Sequence, residues 1–343
     1  MNNAETITKA ISSSLSIIEQ EREREITSRR FGLNGHKETL EQIGEMLSIT
    51  RERVRQLEKA ILIRLRIAAE EGKIAELAPA EKIIIRNLTE MGRIARTSDL
   101  AKKVLGHEAS EVEKANFNFL GEISPALIIL AENDKYHNAI GIAEYGDEKA
   151  IRAKIDEIVN LIKTNKKPMD LDELDAKLNY EHPSHIEAIA RLSKQLSSLN
   201  GQWGLTKWPT VNPKNIRDKI YVVLEEHKEP MHFSDIAKAI SSSDFRRKNV
   251  TIQAIHNELI KDSRFVLIGR GIYALDSWGF EKGTVSDIII KILKKAGSEG
   301  LSRKEIVKQV LKERKVKETT VLLNLQDKKL FTRVGKDYYK LAA

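Results

Sequence analysis

Residues 50–66 read TRERVRQLEKAILIRLR, and residues 29–49, just before them, read RRFGLNGHKETLEQIGEMLSI. Within the second stretch Leu40, Ile43, Met46 and Leu47 recur at helical spacing, which predicts a short amphipathic helix over Thr39–Leu47. Ser48-Ile49-Thr50 interrupts it, and Thr50 is a good N-cap for a second helix. That second helix places Val54, Leu57, Ile61 and Leu65 inward and leaves Arg51, Glu52, Arg55, Gln56 and Lys59 outward, clustered in its N-terminal half. Two helices joined by a tight break have the form of a helix-turn-helix, whose second helix presents its N-terminal residues to base edges. The side-chain types fit that use, since Arg grips guanine bidentately, Gln grips adenine and Glu accepts from cytosine. An ordinary solvated amphipathic helix would carry similar charges, so charge alone does not decide the matter.

Sequence beyond the charges does. The motif EREI-x-x-RRFGL begins at Glu23, TLEQIG-x-x-L at Thr39 and TRERVRQLE at Thr50, the last continuing to Leu65-Arg66. In this order and spacing, Glu25–Arg66 closely resembles region 4 of primary-type bacterial sigma factors, the part that reads the promoter −35 element. The resemblance implies that Arg51, Glu52, Arg55 and Gln56 face bases. It places Thr39, Leu40 and Thr50 near phosphates through helix N-terminal N–H groups, with Arg53 and Lys59 as further phosphate contacts. It also implies double-stranded DNA and RNA polymerase, through the flap of its β subunit, as partners, with the charged segment Glu19–Glu25 as part of the polymerase-facing surface. Two positions depart from the family. Ser48-Ile49 stands where a Gly-Val pair is usual, and Ala60 where a basic residue is common, although Lys59 is adjacent.

Composition bounds the alternatives. The chain has 343 residues, enough for several domains, and no cysteine, which excludes a disulfide framework, a thiol nucleophile and a Cys-based zinc site. No apolar run approaches the roughly 20 residues of a membrane helix. The opening MNNAETITKAISSSL lacks the pattern of a secretory signal. A cytoplasmic, nucleoid-associated protein without membrane contact is expected. Its 58 basic and 50 acidic side chains give a formal charge of +8. Residues 1–78 hold 13 of each sign, whereas residues 281–343 hold 16 basic and 8 acidic, so the whole excess lies at the C-terminal end. A second polyanion-facing surface is expected there.

After Leu77-Ala78-Pro79 the chain repeats loosely. Four segments, opening with EKIIIRNLTEMG, AIRAKIDEIVNL, NIRDKIYVVLEE and TVSDIIIKILKK, each run as an apolar-periodic helix, a polar turn and a second helix. Three of them close on paired β-runs around a turn, at Gly201–Trp208, Phe265–Leu275 and Phe331–Leu341. Helices closed by a hairpin make a winged helix. The expected fold is mainly α: a tandem array of helix-turn-helix and winged-helix units with short β-hairpin wings. Its boundaries are 1–78 for the sigma region 4-like module, then 79–146, 148–210, 211–281 and 283–343 for the winged units. The first winged unit shows its closing pattern least clearly, over Ala126–Ala143, and Pro209–Pro213 and Gly279–Gly283 read as short linkers.

The third winged unit contains Pro230-Met-His-Phe-Ser-Asp-Ile-Ala237 and then Asp262-Ser-Arg-Phe-Val-Leu-Ile-Gly-Arg-Gly-Ile-Tyr-Ala-Leu-Asp-Ser-Trp278. Over about sixty residues it resembles the HARE-HTH family, a winged helix found in the delta subunit of bacterial RNA polymerase, in some restriction systems and in chromatin proteins. Phe265, Tyr273 and Trp278 are expected to pack the wing on its helices, with Gly269 and Gly271 allowing a tight hairpin. Arg270 at its tip is a candidate phosphate contact, and Arg246, Arg247 and Lys248 precede an expected recognition helix over Val250–Ile260. In the fourth unit Lys312, Arg314, Lys315 and Lys317 lead into an expected recognition helix over Lys317–Leu330. Arg333 and Lys336 lie on its wing, and sequence-independent phosphate attraction is the expected use of this set.

Catalytic signatures are missing from the sequence. It contains no G-x-x-x-x-G-K-[ST] loop, no G-x-S-x-G elbow and no H-E-x-x-H pair. His182 and His185 read as loop residues, and Asp170, Asp172, Glu173 and Asp175 as the start of a helix. No cofactor, metal or enzymatic activity is expected. Nothing in the chain resembles sigma region 2, which captures the melted −10 strand. The expected function is therefore a sequence-specific transcription regulator or RNA polymerase accessory factor. The alternatives are a protein-interaction scaffold on polymerase with incidental DNA binding, or the DNA-recognition component of a restriction or defence system.

Overall fold

The structure, a computed structural model, describes residues 2–178, 180, 183–245 and 249–342. His182, Arg246, Arg247 and Lys248 lie outside the described residues. The chain forms two compact units, Met1–Lys207 and Trp208–Ala343.

The first unit begins with four helices, α1 (Asn3–Ser16), α2 (Glu21–Phe31), α3 (Leu40–Leu47) and α4 (Arg51–Glu70). There follow α5 (Leu77–Glu90), β1 (Ile94–Arg96), α6 (Thr97–Leu105), α7 (Glu111–Ile123), β2 (Leu127–Leu130) and β3 (Ala139–Ile142). The unit ends with α8 (Glu148–Asn165), α9 (Leu171–Leu178), α10 (Pro183–Arg191), β4 (Leu196–Leu199) and β5 (Gln202–Leu205). Local chemistry explains most helix starts. Side chains of Asn2, Thr39, Thr50, Ser110 and Asp147 each accept from a backbone N–H in the first turn of their helix.

β1, β3 and β2 make an antiparallel sheet in that spatial order, with Ile94 opposite Gly141 and Leu127 opposite Ile142. The first winged unit thus has a complete three-stranded wing where the sequence signal is weakest. Its β2 reads LIIL, buried or half-buried along its length, so it lacks the polar alternation that marks a one-sided strand. The connection back to β3 is held by the Asn133 carboxamide, which accepts from the N–H of Lys135 (2.8 Å) and Tyr136 (2.9 Å). β4 and β5 pair through an Asn200-Gly201 turn with both residues in the left-handed region (φ 50° and 76°), the geometry of a type I′ hairpin.

One apolar core runs from Ile7 to Ile142, across the boundary expected near residue 78. It joins Ile61, Leu65 and Ala68 of α4 to Phe117, Phe119, Leu120 and Ile123 of α7, and α1 packs on both α5 and α7. A smaller cluster, Ile26, Ile43 and Val54 with Leu40, Leu47, Ile49 and Leu57 around it, holds α2, α3 and α4 together.

The second unit contains α11 (Ile216–His227), β6 (Met231–His232), α12 (Phe233–Ser242), α13 (Ile252–Lys261), β7 (Phe265–Gly269) and β8 (Ile272–Leu275). It continues with α14 (Val285–Ala296), β9 (Leu301–Ser302), α15 (Arg303–Glu313), α16 (Glu318–Asn324), β10 (Phe331–Val334) and β11 (Tyr338–Leu341). The sheet orders are β6-β8-β7 and β10-β11-β9. Four times, therefore, the chain runs helix, short strand, two helices, hairpin; after α8 the short strand shrinks to Met169, bridged to Trp203.

Several expectations need correcting. The helix expected over Lys317–Leu330 ends at Asn324, and residues 325–330 form turns before β10. Met46 is exposed rather than on the buried face of α3, where Ile43 alone is fully buried among the apolar four. His185 lies in α10, not in a loop. Arg314, expected to lead outward toward DNA, is 4 % exposed and turned into the fold. Its guanidinium donates to the carbonyls of Leu267, Glu281 (2.8 Å) and Gly283. The stretch 279–283 is thus pinned on one side, which is why it is not a loose linker. Among the described residues, no helix is long and apolar enough to cross a membrane.

Candidate nucleic-acid interface

Helices α3 and α4 meet through a turn that leaves no room for a side chain at Gly44, where an added Cβ would sit 2.7 Å from the Ile49 carbonyl oxygen. Ser48 ends α3 in the left-handed region (φ 54°), a conformation that costs a non-glycine residue roughly 1–2 kcal/mol. This is the position where the family-typical glycine is replaced. Ser48→Gly is expected to stabilise the turn by about 0.5–1 kcal/mol after the entropy cost of glycine, read as a small rise in Tm. An unchanged or lower Tm would contradict it.

Three arginine ties fix α2 against the pair. Arg22 donates to the Leu47 carbonyl at 2.7 Å, satisfying the end of α3. Arg30 Nε binds Glu58 Oε1 at 3.0 Å, and Arg64 pairs with the buried Glu23. Glu23 is therefore spent inside the module, while Glu19, Glu21, Arg22 and Arg24 stay on the exposed side of the segment assigned to polymerase contact. Arg22 and Arg30 have structural tasks that the alternating charges of EREREI do not reveal.

The structure puts Arg51, Glu52, Arg55 and Gln56 together, all exposed, on the first two turns of α4. Arg55 grips Glu52 through both Nε (2.8 Å) and a terminal nitrogen (2.7 Å), and Gln56 Nε2 approaches the same carboxylate at 3.4 Å. The Arg55 guanidinium holds the Glu52 carboxyl below the usual carboxylate range, and Glu52 in turn raises Arg55. With both partners charged and exposed, such a pair orders the side chains without locking them, and a base edge can replace either partner.

Thr50 Oγ1 accepts from Arg53 N–H at 3.2 Å and so caps α4. Thr39 and Gln42 form a reciprocal capping box on α3, which leaves the N–H groups of Leu40 and Glu41 as the anion-facing ones. Between the two helix starts lies a cleft of about 440 Å³ lined by Arg30, Thr39, Leu40, Glu41 and Arg51. The expected phosphate contacts Thr39 and Leu40 thus border the expected base contact Arg51. Arg53 and Lys59 are exposed on α4, Arg53 within 3.4 Å of Gln56 Oε1.

The first winged unit offers no comparable surface. Its third helix, α7, would be the groove-entering element of a DNA-reading winged helix. Here Ala115, Phe117, Phe119, Leu120, Gly121 and Ile123 of α7 are buried, and the helix packs on α1, α2, α4 and α6. Its wing is occupied as well, because Tyr136 pairs with Ser193 and His137 N–H donates to the Leu192 carbonyl at 2.8 Å. This unit is a mount for α4.

In the second unit the residues expected at phosphates fall into two groups. Arg270 lies exposed in the two-residue turn between β7 and β8, with Gly271 in the left-handed region (φ 71°). Lys315 is close by, its N–H donating to the Ile268 carbonyl at 2.9 Å. Arg333 and Lys336 share the β10–β11 hairpin, where the Arg333 guanidinium donates to the Lys336 carbonyl. Lys317 is the exposed N-cap residue of α16. Phe265 and Tyr273 are buried in the wing of the third winged unit, and Trp278 covers Val266, Ile268 and Ala274. Those aromatics are packing groups. The chain carries no cysteine, and among the described residues there is no group of three His, Asp or Glu arranged to hold a metal.

Comparison with known proteins agrees with this geometry. Residues 20–66 match the family described as sigma-70, region 4, and residues 216–278 match the HARE-HTH family, described as a restriction endonuclease HTH domain. The chain therefore carries two helix-turn-helix domains of DNA-binding families, one in each compact unit. A solved structure of a bacterial selenocysteine-specific elongation factor aligns with 80 % of this chain at 13 % identity and a TM-score of 0.21, and the chain spans 40 % of that protein's length.

Proposed function

We propose that this protein is a sequence-specific regulator of transcription, or an accessory factor of RNA polymerase, that reads promoter −35-like duplex DNA through the start of α4. The supporting observation is the exposed quartet Arg51, Glu52, Arg55 and Gln56 beside a cleft flanked by two helix N-termini. Base contacts there specify sequence, and the helix starts and flanking cations position the duplex. The protein acts by binding, without a catalytic step, in the cytoplasm at the nucleoid. Polymerase contact, by likeness to region 4, falls to the exposed face at Glu19, Glu21, Arg22 and Arg24.

The test is a mobility-shift titration on duplexes with and without a −35-like element. Arg55→Ala and Gln56→Ala should each remove about 1–3 kcal/mol of sequence preference while leaving binding to the scrambled duplex nearly unchanged. Preference retained in both variants would refute base readout by α4.

One observation favours a protein partner for the third winged unit. Its groove-side helix α13 exposes Ile252 (52 %) and Ile260 (67 %), and its one Lys or Arg is the terminal Lys261. Such a face suits a protein better than a phosphate backbone. A pull-down of polymerase at high salt separates the two modes, since DNA-mediated association is lost there and protein contact persists.

A further inference from the structure

We infer that the second unit holds duplex DNA by a sequence-independent track along α15, running between the wing turns of its two winged helices. The groove-side helix of the fourth winged unit, α16, has seven residues, contains no Lys or Arg and exposes Leu323 (65 %). It is a poor reader of a polyanion. The positive charge lies on the helix before it. Lys304, Lys308 and Lys312 recur every four residues on α15, all exposed, and at 3.6 residues per turn they fall within an arc of roughly 80°. None of them is in an ion pair among the described residues, in contrast to Lys282, Lys291 and Arg303 of the same region. The acids of α15 are engaged elsewhere. Glu305 accepts from Gln309 Nε2 at 3.1 Å, and Glu313 accepts from the Glu281 N–H at 3.5 Å.

Both ends of α15 are tied to a wing turn. At the N-terminus, Arg303 N–H donates to the Asp337 carbonyl at 2.7 Å, beside Lys336. At the C-terminus, Arg314 and Lys315 bind the carbonyls of Leu267 and Ile268, close to Arg270. Gly269 permits this approach, since a Cβ there would meet the Lys315 carbonyl oxygen at 2.4 Å. Arg270, Lys315, Lys312, Lys308, Lys304 and Lys336 therefore follow one another from turn to turn. Eleven helical residues span about 16 Å, close to five base pairs of duplex. Evenly spaced lysines without base-reading partners fit a regular line of phosphates, and long stems let each ammonium find its own.

The experiment measures binding of the full chain to a random-sequence duplex lacking any −35-like element, across a salt series. The triple variant Lys304→Gln/Lys308→Gln/Lys312→Gln should lower the slope of log K against log salt by about 2–3, since each phosphate contact contributes about 0.9. A charge-matched triple in the first unit, Lys149→Gln/Lys163→Gln/Lys177→Gln, should leave the slope within one contact of wild type. An unchanged slope in the α15 triple overturns the track, and so does an equal loss in the control. So does loss of binding to poly-glutamate with duplex binding intact, which would assign the surface to an acidic protein. Base readout by α4 is judged on sequence preference, so failure of either idea leaves the other standing.

Discussion

Phe119→Ala is expected to destabilise the first unit by about 3–5 kcal/mol, the usual cost of emptying a buried phenylalanine site. Phe119 is fully buried on α7, and its ring meets that of Phe31, the last residue of α2, at 5.1 Å in an edge arrangement. This contact joins the helix-turn-helix to the first winged unit, with Ile61 and Leu65 of α4 in the same core. A loss of that size lowers Tm by roughly 10 °C in a unit of this length. Hydrogen exchange should quicken in α4 and α7 together, because they share one core. The nearby Arg66–Glu122 pair (2.6 Å) is half exposed on its arginine side, so Glu122→Gln should cost under about 1 kcal/mol. Faster exchange in α7 with α4 unaffected would show that the winged unit does not hold the reading helix.

Arg314→Ala is expected to loosen the second unit by at least about 3 kcal/mol. Each hydrogen bond from a charged donor contributes roughly 1.5–3 kcal/mol, and removing the donor leaves buried carbonyls unsatisfied. Three carbonyls, on Leu267, Glu281 and Gly283, lose their partner at once. Part of the gain is already offset, because the Arg314 Nε is buried without an acceptor and burial lowers the guanidinium pKa. Arg314→Met restores bulk without donors and should recover little. Lys312→Ala, two residues away and exposed, should stay within about 0.5 kcal/mol of wild type. Thermal melts of the three variants decide the point, and equal melting of Arg314→Ala and wild type would contradict it.

How far the sequence could be read follows from where the determining contacts lie. The α3–α4 pair was legible because its causes are local: a capping threonine at each start, apolar residues at helical spacing and an outward charged face. The wings of the second and third winged units were legible for the same reason, through Asn200-Gly201 and Arg270-Gly271. Non-local causes stayed hidden. Nothing within residues 1–78 shows that α1 will lie on α5 and α7, so the expected boundary fell inside a continuous core. Arg314 stands in a run of lysines and looks solvated, yet burial comes from carbonyls more than thirty residues upstream. Met46 misled in the opposite sense, since the small α2–α4 cluster is filled by Ile26, Ile43 and Val54 before it reaches that position. The basic excess at the C-terminal end was plain from composition, but its placement on α15 rather than α16 required knowing where the last helix stops.

The central claim is that α4 reads bases, and selection from a randomised duplex library tests it most directly. Wild-type protein should enrich one short motif with guanine and adenine at the positions facing Arg51, Arg55 and Gln56, and the Arg55→Ala/Gln56→Ala variant should enrich none while still retaining duplex at low salt. Enrichment of the same motif by both proteins, or of no motif by the wild type, would contradict the account.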